Sequence, residues 1–433
     1  MAFVSLKKIF LTPLGKRSSP KQDKKLRGMA LLLVMISLAL MTSVVADLSY
    51  NETIRYKIAL NERDALKAEA LAEGALNVAR LFLIIQGRIQ PYIAQFASFG
   101  VALPAYTLWE MLPLDTDTFK GLTSGDLASS FGLEVDEALE KRREKRKEEE
   151  NKKKEDSKDS FSPPEGGFGA FEGTFSILTQ DEESKISLRN WARDTNAQKR
   201  TVTQKLLAAL IAPKRYDDLF EGRGAKGVRV DRPSLIANIF DYIDIDEVRV
   251  DAYGLAADWS HGTGGSEKDP YQVDKNILPK NAYFDSLEEL RLVHGMTDHH
   301  MRAFSDALTI YGNAGRVNIL SAKDQVVETL VRFCAMNPQD LLLQNTVFID
   351  ETVKGWRDYQ TQGLGAVSPQ GFMSFLQTRG MNVDTASCES VLDVKSTNFK
   401  LTASATVNNV TRTLTLITRV VDNTEEKYYF RNN

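Results

Sequence analysis

The sequence predicts an α+β fold in which one long amino-terminal helix precedes an antiparallel sheet and a large helical block is inserted between the strands. Three observations predict it. Residues 29–46 (MALLLVMISLALMTSVVA) carry no charge and lead, without a proline, into an apolar stripe at three- and four-residue steps reaching about Arg88. The carboxy-terminal stretch alternates at period two in FKLTASATV, TRTLTLITRVV and KYYFRN, as strands with one buried face do. Between these ends lie several separate helical patterns divided by polar, glycine-rich loops.

The helix comes first. Lys7, Lys8, Lys16, Arg17, Lys21, Lys24, Lys25 and Arg27 stand against a single acid, Asp23, before Gly28. The uncharged run that follows is about the minimum of roughly 18 residues for a hydrocarbon core. The basic cluster stays on the cytoplasmic side by the positive-inside rule, which sends the rest of the chain across. A secretory signal would instead end its short apolar region at a small-residue cleavage site. Here the helical pattern continues through Ile54, Ile58, Ala65, Ala68, Ala72, Ala75, Ala79 and Phe82. About 60 residues at 1.5 Å each give a stem of roughly 90 Å. An ordinary single-pass anchor needs no such extension, whereas a subunit that packs its stem against copies or relatives of itself does.

The rest of the chain divides by composition. After a basic leader (1–28) and the stem (29–90) come a connecting region (91–136) and a charged, Gly/Pro-rich insertion (137–173). Next are β elements (174–190), an inserted helical domain with an acidic loop (191–315), and helices with closing strands (316–433). The run EALEKRREKRKEEENKKKEDSKD mixes both signs, as a solvated helix or a flexible insertion does, and its acids offset its bases. TFSILTQDEESKISL reads as a β-hairpin. Helices are expected over 190–211, 233–243, 287–293, 297–308, 324–334, 338–344 and 369–379, with a strand at 316–320.

Overall composition excludes some function classes. The 433 residues are 42% hydrophobic and 26% charged with net charge −3, so no global basic excess points to nucleic acid. His261, His294, His299 and His300 form no HExxH, no motif surrounds a nucleophilic serine or cysteine, and GTGGS at 262–266 lacks the Lys-Ser/Thr of a phosphate loop. The expectation is a non-enzyme. Cys334 and Cys388 lie in no CxxC pair; outside the cytoplasm they can form one bridge, and two separate buried thiols remain the alternative. The acidic loop carries Asp241, Asp244, Asp246, Asp258, Glu267 and Asp269 near three glycines, Gly262, Gly264 and Gly265. Such a loop can wrap oxygens around calcium, though the spacing is not an EF-hand, and a solvated polar loop is the other reading. The stretch 287–296 has the form of a helix-hairpin-helix turn. With only Arg291, Arg302 and His294 nearby it reads better as a packing hairpin than as a phosphate site.

Specific strings add a resemblance. Lys24-Lys25-Leu26-Arg27-Gly28-Met29 at the edge of an apolar helix resembles the processing site of type IV prepilins and pseudopilins. LIANIFDYIDID, YFDSLEELRLVHGM and LTIYGNAGRVNILSA, with the closing STNFKLTASATVNNVTRTLTLITRVV, resemble the general secretion pathway protein K family, the large minor pseudopilins of type II secretion systems. The likeness covers about residues 24–90 and 174–430. It implies a pseudopilin fold with a SAM-like, helix-hairpin-helix insert, and cleavage by a prepilin peptidase after Gly28 to leave Met29 as a methylated amino terminus. The 28-residue leader is long for the class. Most members carry glutamate where this chain has Leu33; its absence fits a subunit with nothing ahead of it, because an acid in the bilayer is tolerable only with a partner. The resemblance further implies structural calcium in the acidic loop, other minor pseudopilins in a tip complex, a major pseudopilin below, an inner-membrane assembly platform, and a head in the periplasm. The rival readings are an inner-membrane-anchored DNA-binding protein using the hairpin, and a generic periplasmic scaffold.

Overall fold

The computed structural model describes residues 24–98, 109, 114–124, 171–189, 191, 197–221, 230–250, 265–272, 277–313, 315–362, 367–421 and 424–432. The chain forms two units, one ending at Asp64 and one beginning at Ala65. Helix α1 (Lys24–Ser98) supplies the whole described part of the first. Leucine, alanine and methionine dominate its start, and these are strong helix formers. Its side chains over 29–59 are exposed, Leu33 at 63%. Two hydroxyls of the uncharged segment are satisfied within the helix: Ser37 Oγ donates to Val34 O (2.9 Å) and Thr42 Oγ1 to Ala39 O (2.9 Å). That arrangement suits a helix surrounded by hydrocarbon. By length and composition this helix can cross a membrane.

In the second unit the remainder of α1 lies on a sheet. Ala65, Ala68, Ala72, Ala75 and Ala79 are buried, with Leu76 and Leu83. Phe399, Leu401, Ala403, Ala405, Leu414 and Leu416 close the same core from the strands. Small residues on both faces allow a close helix-to-sheet approach. Along the chain follow β1 (Leu114–Asp115), α2 (Thr116–Ser124) and β2 (Thr174–Asp181). Gly173, at φ 108°, opens β2 where a Cβ would lie 2.4 Å from Thr406 O, so only glycine fits there.

The inserted block follows: β3 (Ile186–Ser187), α3 (Ala197–Ile211), α4 (Asp217–Glu221), α5 (Arg232–Ile243), α6 (Asp298–Phe304), β4 (Leu308–Thr309) and β5 (Val317–Asn318). Then come α7 (Asp324–Cys334), α8 (Leu341–Gln344), α9 (Thr346–Gln362), α10 (Pro369–Thr378), α11 (Thr385–Val391) and β6 (Leu392–Asp393). The closing strands are β7 (Asn398–Val407), β8 (Val410–Val421) and β9 (Thr424–Asn432), and the sheet order is β1-β2-β7-β8-β9, antiparallel throughout. A second, larger core joins the inserted block to α7–α11 around Trp191, Leu235, Leu290, Leu330, Trp356 and Phe372.

Several expectations are corrected. Residues 174–188 do not form a hairpin: β2 pairs with β7, and after a 3₁₀ turn β3 pairs in parallel with β4. The turn is buried and acidic. Asp181 Oδ2 accepts from Asn318 Nδ2 (2.9 Å), Ser396 Oγ (2.5 Å) and Ser321 Oγ, while Oδ1 accepts from Glu183 N (2.8 Å). Glu183 Oε1 accepts from Thr397 Oγ1 (2.8 Å) and Asn398 Nδ2 (2.7 Å). These bonds to distant parts of the chain override local hairpin pairing. The stem helix continues past Arg88 to Ser98, residues 287–292 are 3₁₀, and the strand at 316–320 is reduced to β5. The charged run 137–159 lies outside the described residues.

Candidate functional site

The acidic site is built on the end of α5. Asp231 caps this helix by accepting from Ser234 N (2.8 Å), and Pro233 sits in its first turn, where no backbone donor is needed. Leu235, Ile236, Ile239, Phe240 and Ile243 are buried, which fixes the rotation of the helix and takes Asp241 inside with them. Beyond it two loop segments clasp: Val248 and Ser266 form a β-bridge, Arg249 N donates to Gly265 O (2.9 Å) and Glu267 N to Glu247 O (3.3 Å). The clasp carries Glu267 back to α5. One carboxyl oxygen from each of Asp241, Asp244 and Glu267 then lies within 4.8 Å of the others, and all three residues are buried.

Three buried carboxylates so close cannot all stay ionised without compensation. Burial, then its neighbours' charges, pushes the Asp241 carboxyl up to about 8, against the Val250 N–H bond that favours its ionised form. Burial likewise raises Asp244, helped by repulsion from Glu267 and Asp246, and raises Glu267, helped by Asp246 and Glu247. Among the described residues, Asp244 Oδ1 and both Glu267 carboxyl oxygens have no hydrogen-bond partner. A hard divalent cation fits this donor set, because it would answer the orphaned oxygens and the repulsion together.

The remaining predicted ligands behave differently. Asp246 is exposed and accepts from Val248 N (2.8 Å), which shapes the loop while its charge still acts on the three buried acids. Asp269 is exposed and accepts from Ser266 N (3.3 Å) at the start of its own 3₁₀ turn. Asp258 and His261 lie outside the described residues. Tyr271 had no signal in the sequence beyond its place in the acidic loop. Its buried hydroxyl accepts from His294 N (3.1 Å), tying the 265–272 segment to the hairpin.

That hairpin is occupied with packing. Val293 N donates to Leu290 O (3.2 Å), Met296 N to Val293 O (3.0 Å), and Asn238 Nδ2 donates to His294 O (3.0 Å). Gly295, at φ 86°, faces Val230, whose Cγ2 would lie 2.6 Å from an added Cβ. The Val293, His294 and Met296 amides, which would face a phosphate there, are therefore already engaged. Arg291 pairs with Asp298 and Glu288, and Arg302 bonds His299. His299 is exposed while its neighbour His300 is buried against Phe220 and Phe304, where burial lowers its pKa.

The residues expected to be processed fall on α1: the Gly28–Met29 bond lies in its first two turns, and Leu33 one turn further. Cys334, at the end of α7, and Cys388, in α11, form a buried disulfide with Cα atoms 4.8 Å apart.

Taken by the order of its elements, the chain is an α+β protein: long helix, antiparallel sheet and further helices between the strands. No protein-family model matches it, and no curated protein matches it in sequence. Among solved structures it is similar to the GspK-GspI-GspJ complex of the type 2 secretion system of enterotoxigenic Escherichia coli. The identity is 17%, the match covers 60% of this chain and 80% of that chain, and the TM-score is 0.38.

Proposed function

We propose that this chain is a minor pseudopilin of a type II secretion system, starting and capping the tip of a periplasmic pseudopilus. The observation that carries the reading is α1 itself. An uncharged segment with exposed apolar side chains and no acid at Leu33 runs, within one helix, into an alanine stripe seated on an antiparallel sheet. The apolar segment serves as an inner-membrane anchor before assembly and as a bundling surface after it. A prepilin peptidase would cut after Gly28, other minor pseudopilins would share the tip, and the major pseudopilin and assembly platform would lie below. The insert makes the head bulky for stacking along a filament, which suits a terminal position. Amino-terminal sequencing of the membrane protein should give Met29 as the first residue, and Gly28→Val should leave the precursor uncut. A mature species starting at Met29 from that variant would sink the reading. The DNA-binding alternative is disfavoured by the engaged hairpin amides; salt-sensitive duplex binding by the full chain would revive it.

Within this reading the acidic cluster holds calcium as a structural cross-link, with Asp241, Asp244 and Glu267 as ligands. Calcium at roughly 100 times its Kd should then raise unfolding free energy by about 2.7 kcal/mol, and a chelator should remove the gain. Asp244→Asn and Glu267→Gln should lose the response while Asp269→Asn keeps it. The opposite ranking, or a chelator-insensitive unfolding curve, counts against the site.

A further inference from the structure

We propose that a groove between the inserted block and β9 is a saccharide-binding site. The groove encloses about 360 Å³, within the range of small-ligand sites, which run from roughly 300 to 1,000 Å³. Ile243 and Ile310 help to floor it, and Tyr283, Tyr311, Tyr428 and Tyr429 wall it.

Two consecutive tyrosines on one strand should point to opposite faces. Here they do not, because β9 is bulged. Ile417 pairs with Tyr429 and the next residue, Thr418, pairs with Lys427, which leaves Tyr428 as the unpaired extra residue. A bulge re-aims a side chain, and such departures from the ladder concentrate beside binding sites. This one brings both rings to the groove. Tyr428 then lies near-parallel to Tyr311 (centroids 6.2 Å, 20°), with the Arg189 guanidinium 5.0 Å from its ring. Tyr283 and Tyr429 stand at the rim, 48% and 40% exposed.

The chemistry selects the ligand. The rim rings of Tyr283 and Tyr429 take the C–H face of a pyranose, the Tyr311–Tyr428 pair backs it, and phenol hydroxyls meet its hydroxyls, that of Tyr428 lying 3.4 Å from Glu426 Oε2. Arg189 and Asp285 give the groove one charge of each sign, and Lys280 bridges Asp285 (2.6 Å) and Glu289 (2.8 Å), so these four charges balance. A neutral polyhydroxylated ligand is favoured over an ionic one, and the polar lining disfavours a purely apolar one.

The test is calorimetric titration of the full chain in detergent micelles with chitotetraose, maltotetraose and a decaproline peptide. At least one oligosaccharide should saturate a single site with Kd below about 1 mM, and Tyr283→Ala and Tyr428→Ala should each weaken it at least about tenfold. Thermal unfolding checks that the variants are folded; should Tyr428→Ala fail to fold, the rim variant Tyr283→Ala decides. Three outcomes overturn the proposal: neither sugar saturates, folded variants bind as the wild type does, or decaproline alone binds.

Discussion

Converting Cys334 and Cys388 to alanine should lower the unfolding free energy of the head by about 4 kcal/mol, the loop-closure value for a bridge across 54 residues. The closed loop contains α8, α9 and α10, so much helical structure is held on one link. The native state around the bridge is already clasped: Asp384 N donates to Cys334 O (2.8 Å), Met336 N to Asn382 O (2.9 Å), and Ala335 bridges Val383. Asp384 also caps α11 by accepting from Ser387 N (3.1 Å), and hydrogen bonds from Ser387 hold its carboxyl below the usual range. The double variant should therefore keep its fold and lose stability through the unfolded chain. Denaturant titration with and without reductant checks this. Wild type under reduction should fall towards the variant, and the variant should not respond. Equal midpoints for oxidised wild type and variant would show that the clasp alone suffices.

The parts of this architecture legible in the sequence are those set by periodicity over many residues. The stem helix, α5, α7, α10 and the closing strands all announce themselves by apolar spacing, since each buries one face against a large core. Helix α9 does not. Thr346, Val347, Ile349, Thr352 and Val353 are β-branched and Gly355 interrupts, so propensity argues against it. It forms because Trp356 and Ile349 are buried and Asn345 accepts from Val347 N (3.1 Å) and Phe348 N (3.3 Å). The acidic loop was legible as a concentration of carboxylates but not as a set. What separates Asp241, Asp244 and Glu267 from Asp246 and Asp269 is burial, which depends on the rotation of α5 and on the clasp to Ser266. The bulge at Tyr428 leaves no local signature, because it is a property of two strands in register. The triplet 181–183 was misread for the same reason: its acids look like a solvated turn, and the donors that hold them come from 137 residues or more along the chain in the case of Asn318, and 215 in the case of Asn398.

That triplet carries the other large prediction. Asp181→Ala should cost about 3 kcal/mol, because the Ser321, Ser396 and Asn318 side chains and the Glu183 amide would lose their acceptor in a buried place, each at about 1 kcal/mol or more, partly offset by removing a buried charge. The offset is real, since among the described residues neither Asp181 nor Glu183 pairs with a cation. Burial raises both carboxyls, and for Glu183 the charges of Asp181 and Asp393 add to it. A carboxyl with a raised folded pKa binds more protons in the native than in the unfolded state above the usual value near 4. Its stabilising contribution is thus full below that value and is lost as pH rises through the folded value. The buried acids of the 241–267 cluster have the same sign, so wild-type stability without metal should decline between about pH 5 and 8, and the share of the triplet is isolated by comparison. Glu183→Gln keeps an acceptor for Thr397 and Asn398 while removing the charge. It should be at least as stable as wild type at neutral pH and show a shallower decline. Denaturant midpoints across that pH range read this directly, and a steeper decline in the variant would mean that Glu183 is held ionised by a partner its hydrogen bonds do not reveal.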